Sequence, residues 1–105
     1  MTTLSALDTN PIQAAHPESW FAQKLTTIDG VNLKYRVMRD TTASFHVHDE
    51  SPECFFVLSG EVVMDTETGS VTLGPGMFYR VEPGISHRSR VTGEATLLVL
   101  DKMPA

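Results

Sequence analysis

Four residues of this chain have the side chains and spacing to hold a metal ion: His46, His48, Glu53 and His87. His46 and His48 lie two apart in a segment, Ser44 to His48, that reads as a strand, so both side chains leave the same face. Glu53 opens the next strand, and the loop Asp49-Glu50-Ser51-Pro52 is short enough to bring it back beside the pair. His87 lies far along the chain, just after Pro83-Gly84. Three imidazoles and one carboxylate suit Fe, Mn, Ni, Co or Zn. They would set about one negative charge against a divalent ion, leaving a centre able to polarise a bound oxygen. Spacing alone leaves a second reading open, since a His-x-His pair on a strand is often a satisfied surface pair. Cys54, the one cysteine, can form neither an internal disulfide nor a Cys-based zinc site, so His and carboxylates are the available ligands. Asp49, Glu50 and Glu53 lack the spacing and central glycine of a calcium loop. His16 has no partner at ligand spacing and is expected at the surface.

The elements that must position these residues read as short strands separated by turns. Leu25 to Ile28 and Val31 to Val37 flank Asp29-Gly30, a pair suited to a two-residue hairpin. Further strands are expected over Ser44 to His48, Glu53 to Leu58, Glu61 to Asp65, Val71 to Leu73, Met77 to Val81, His87 to Val91 and Ala95 to Leu100. Gly74-Pro75-Gly76 and Glu82-Pro83-Gly84 are strong breaks. About nine short strands predict an all-β fold, a small antiparallel barrel or sandwich. Residues 1–19 read as an N-terminal arm and 20–105 as one domain, with Pro17 to Gln23 able to make a single helical turn.

Composition bounds the function classes. A net charge of −5, with no run of Lys or Arg, argues against nucleic acid as a partner. No apolar stretch approaches the roughly 18 residues of a membrane span, and no leader pattern is evident, so a soluble cytoplasmic protein is expected. The 41% hydrophobic content is ordinary for a folded domain.

The chemistry-bearing residues also resemble a known family. His46-x-His48, four residues, Glu53, six residues, Gly60 is similar to the first cupin motif, in which a glycine also stands six positions before the first His. The second motif runs Gly, five residues, Pro-x-Gly, two residues, His, three residues, Asn, and Gly76, Gly84 and His87 fill the matching positions. Asp40, Glu82 and Val91 replace the usual Gly, Pro and Asn; none is a ligand position. The 15 residues between Gly60 and Gly76 are similar to compact single-domain bacterial members. The resemblance implies a jelly-roll barrel (a double-stranded β-helix), usually a homodimer, with one divalent metal on His46, His48, Glu53 and His87. It implies a small organic ligand beside that metal. An octahedral ion would keep two open positions for an oxygenase, isomerase or lyase type of chemistry, whereas tetrahedral zinc would be closed and structural. A non-catalytic binding or sensor module is the alternative.

Strand parity suggests the rest of the pocket. Ser44 shares a face with His46 and His48, Phe55 and Val57 share one with Glu53, and Ser89 shares one with His87. Tyr35, Arg36 and Tyr79 lie on strands from which they could orient an anionic or carbonyl substrate, although a solvated Arg and core tyrosines are the competing reading. Cys54, Phe56 and Leu58 take the opposite parity, as packing or interface residues.

Overall fold

A computed structural model describes residues 5–102. Residues 1–4 of the expected arm and 103–105 of the expected domain lie outside the described residues. The described residues form one short helix, α1 (Asn10–Ala15), and seven strands: β1 (Trp20–Ile28), β2 (Val31–Thr42), β3 (Glu53–Ser59), β4 (Val62–Thr66), β5 (Gly69–Leu73), β6 (Phe78–Val81) and β7 (His87–Asp101). All pairings between them are antiparallel, in the order β1-β2-β7-β3-β6, with β4 joined to β5 and β7.

The long strand β7 ties the two halves together. Its first residues pair with β4, from Thr66↔His87 to Val63↔Arg90, and its last pair with β2 on one side and β3 on the other. The sequence predicts two strands here, broken near Gly93, but the chain runs on as one strand that bends at a bulge, with Thr92 and Gly93 skipped in the pairing with β2. At the bend Gly93 has φ 81°, and its N–H donates to Asp40 Oδ1 at 2.7 Å. Opposite it, β2 slips register between Arg39 and Thr41, with Asp40 itself at φ 43°. Asp40 thus adopts the left-handed conformation that favours the glycine it replaces, and its carboxylate closes the corner.

Alternation along the strands sets the interior. In β3, Glu53, Phe55 and Val57 are buried while Phe56 and Leu58 face out. Phe55, Val57, Val62, Met64, Leu97 and Val99 form the core with Met38 and Val81. The Asp29-Gly30 hairpin joins β1 to β2 with both residues at positive φ (50° and 79°). Gly60, φ 75°, crosses close to β7: a Cβ there would sit 2.1 Å from the Glu94 carbonyl oxygen.

Three local expectations are corrected. Ser44–His48 is not a strand; His46 makes a single isolated bridge to His87, with both N–H···O distances 2.9 Å. Trp20–Gln23 is extended, paired to β2, not helical. The helix lies earlier, at Asn10–Ala15, where Pro11 stands in the first turn without sacrificing an intrahelical bond. That segment is pinned to the barrel by Arg39, whose guanidinium donates to the carbonyls of Gln13, His16 and Glu18 and pairs with Glu94. His16 stacks on Phe21, ring centroids 3.5 Å apart.

Candidate metal centre

The centre is assembled from three separate pieces of chain. Glu53 comes from the first residue of β3 and His87 from the first residue of β7. His46 and His48 come from the loop between β2 and β3. Among the described residues that loop is held by three backbone tethers: the Ala43 N–H donating to the Ser89 carbonyl at 2.9 Å, the His46–His87 bridge, and the Gly84 N–H donating to the His48 carbonyl at 2.8 Å. The Pro83-Gly84 turn before His87 therefore also fixes the loop carrying His48.

All three imidazoles converge on one carboxylate oxygen. Glu53 Oε1 lies 2.7 Å from His87 Nε2, 3.2 Å from His48 Nε2 and 3.3 Å from His46 Nε2. One ligand atom from each of the four residues lies within 4.8 Å of all the others. The opposite ring nitrogens are engaged with backbone: His46 Nδ1 is 3.1 Å from the Ser44 carbonyl oxygen and His87 Nδ1 is 2.9 Å from that of Ile85. A carbonyl oxygen only accepts, so Nδ1–H donates in both rings. In the neutral imidazoles the lone pair is then on Nε2, the atom aimed at the centre, and this backbone contact is the usual orienting partner of a ligating His. Without a cation, both rings reach Glu53 through Nε2 only by carrying a second proton. A metal ion satisfies all four groups at once, so the donor set fits one, and the cluster could hold a divalent ion.

The electrostatics agree. Burial pushes the Glu53 carboxyl up, but the His87 hydrogen bond, the Arg36 charge and the other imidazoles outweigh it and hold the group at about 2. Burial pushes His87 down, yet the Glu53 hydrogen bond and the Ile85 carbonyl carry it above its ordinary value. Exposure is graded across the centre: the His87 and Glu53 side chains are 1% and 4% exposed, His48 is 16% and His46 is 41%, so the loop carrying His46 and His48 forms its solvent-facing side.

Phe55 meets His87 edge-on, with centroids 6.1 Å apart, and Val57 packs in the core behind it. Tyr79 pairs with Phe55 across β3 and β6 and packs against the same core. Ser89 is buried two residues from His87, with its hydroxyl directed at Met38 Sδ. Ser44 is exposed and meets the centre only through its carbonyl. The cross-strand pairs Arg36↔Leu97 and Leu97↔Val57 put Arg36 on the inner face. Tyr35, one residue away, pairs with Leu98 on the opposite face, where it is buried, so it does not face the metal cluster.

Two features escaped the sequence reading. Trp20 lies over Arg36, its ring centroid 4.3 Å from the guanidinium carbon. Asp101, buried at the end of β7, binds Lys34 Nζ at 2.8 Å and Asn32 Nδ2 at 3.0 Å. Parity along β2 could have suggested the second, since Asn32, Lys34 and Arg36 alternate on one face.

Comparison with known proteins agrees with this architecture. Residues 34–102 match the cupin domain family model (Cupin_2). A cupin-2 domain protein from Shewanella frigidimarina superposes with TM-score 0.82 at 17% identity, covering 90% of this chain and 92% of that one. A cupin superfamily protein from Desulfitobacterium hafniense gives TM-score 0.78 at 16% identity, covering 99% and 98%. Over 65 residues, 62% of this chain, the sequence is 32% identical to the probable transcriptional regulator LumQ of Photobacterium leiognathi, of whose length the chain spans 26%.

Proposed function

Because this chain belongs to the cupin domain family, we propose that it is a metal-dependent enzyme acting on a small organic molecule held beside a divalent ion on His46, His48, Glu53 and His87. The observation that carries the reading is the pair of Nδ1–H contacts to the Ser44 and Ile85 carbonyls, which turn two Nε2 lone pairs toward the buried Glu53 oxygen. When bound, such an ion supplies Lewis acidity and a template for a chelating substrate oxygen. The chain's own residues supply the rest. Phe55 and the core exclude water behind the centre, and the exposed edge of His46 admits the ligand. A homodimer is part of this reading, supported by the apolar outer face on which Phe56, Leu58, Phe78 and Leu100 are exposed.

Metal analysis of protein purified without added metal is the first test. About one ion per chain is expected, with chelation lowering the melting temperature, because an ion bound only by the folded state adds to its stability. His48→Ala should abolish both effects. Unchanged metal content and melting after chelation and in His48→Ala would remove the reading. Iron, manganese or nickel supports open-site chemistry; tightly held zinc supports a structural site.

A second reading, a ligand-sensing module without catalysis, is favoured by the partial similarity to a probable transcriptional regulator. It predicts a ligand retained through purification and released unchanged.

A further inference from the structure

Among the described residues, Arg36 is an inward charged side chain with a buried nitrogen that lacks a hydrogen-bond partner. Its Nε is sealed from solvent and has no hydrogen-bond partner, and no ion pair involves Arg36 among the described residues. An unpaired buried guanidinium nitrogen is costly, so such a group normally waits for an acceptor. The two carboxylates that act on it through space are Glu53 and Asp101. Both are already committed: Asp101 to Lys34 and Asn32, and Glu53 to the three imidazoles.

Trp20 covers one face of the guanidinium at 4.3 Å. Stacking of this kind leaves the N–H edge free for an acceptor in the guanidinium plane. Counting formal charges on this inner face, Arg36 and Lys34 balance Asp101 and Glu53. A divalent ion on neutral imidazoles would then leave about two positive charges to be met by a ligand.

We propose that Arg36 is the specificity-determining residue of the site, binding the carboxylate of a small acid whose second oxygen reaches the metal, as in a 2-oxo or 2-hydroxy acid. This rests on the reading of the four-residue cluster as a metal centre. A planar carboxylate takes two parallel N–H bonds from the guanidinium fork, which a Lys or a neutral side chain cannot supply.

The test uses the metal-loaded full chain with pyruvate as probe and pyruvamide as its neutral counterpart. Trp20, the single tryptophan, reports binding through its fluorescence, and calorimetry gives the affinity. Wild type should bind pyruvate about 30-fold more tightly than pyruvamide. Arg36→Gln should weaken pyruvate about 30-fold, to the pyruvamide level, with metal content and pyruvamide binding unchanged. Arg36→Lys should recover only part of the loss. Equal pyruvate affinity in wild type and Arg36→Gln overturns the proposal. Loss of metal in Arg36→Gln also overturns it, making Arg36 a support for Glu53 instead. If wild type holds no metal, the metal-centre reading fails by itself. The Arg36 proposal is then decided by the same fluorescence titration on the metal-free chain: an Arg36-dependent preference for pyruvate keeps it, and no response ends it.

Discussion

Glu53→Gln gives the sharpest test of the cluster's electrostatics, because Glu53 is buried and serves three imidazoles through one oxygen. In the metal-free protein its carboxyl is held at about 2, against an ordinary 4.5. At about 1.4 kcal/mol per pH unit, that difference links Glu53 ionisation to about 3 kcal/mol of folding free energy. The sign follows from the direction. A depressed carboxyl stabilises the fold fully above 4.5, and the contribution is lost as pH falls toward about 2. His87 is raised, so its contribution is complete below the ordinary 6.5 and is lost as pH rises through its folded value. Metal-free wild type should therefore draw most stability from this cluster between 4.5 and 6.5. Both limbs should vanish in Glu53→Gln, where no carboxylate remains to be protonated or to hold His87 charged. Urea denaturation of chelator-treated wild type and variant across pH reads the difference directly, with other carboxylates cancelling in the comparison. Metal-loaded wild type should show the opposite alkaline trend, since the imidazoles must shed protons to ligate. Parallel stability curves for wild type and Glu53→Gln across the whole range would refute the reasoning.

Other expectations concern the frame around the centre. Gly60→Ala places a Cβ 2.1 Å from the Glu94 carbonyl oxygen and 2.8 Å from Ala95 Cα at φ 75°. It should cost about 3 kcal/mol or more in urea unfolding, and a loss below about 1 kcal/mol would contradict the close approach. Asp40→Gly relieves a left-handed backbone but forfeits the 2.7 Å bond to Gly93 N–H, so stability should stay within about 1 kcal/mol of wild type. Asp40→Ala loses the bond and keeps the strain, and should melt measurably lower than Asp40→Gly. Phe78 is 56% exposed on the outer face, and Phe78→Glu should convert a dimer to monomer in sedimentation with metal content retained. An unchanged sedimentation profile would place the interface elsewhere.

The sequence by itself carried the all-β class, the Asp29-Gly30 hairpin and the inward parity of Glu53, Phe55 and Val57. These depend on local chemistry: turn residues that tolerate positive φ, and side chains that alternate with period two. The His-x-His, Glu, His spacing was legible too, and the residues it names do converge. What it could not carry was how they converge. Ser44–His48 has strand-like composition, yet it is anchored at His46 by one bridge to a residue 41 positions away and at His48 by Gly84. No local pattern encodes such a tether. Likewise, Tyr35 and Arg36 are adjacent and looked equally able to reach the pocket. Only the register of β2 against β7 separates them, turning Arg36 inward beneath Trp20 and Tyr35 to the other face. Ligand identity is a property of residue type and spacing, whereas lone-pair direction, the solvent-facing side at His46 and His48 and the buried charge of Arg36 depend on which strands lie side by side.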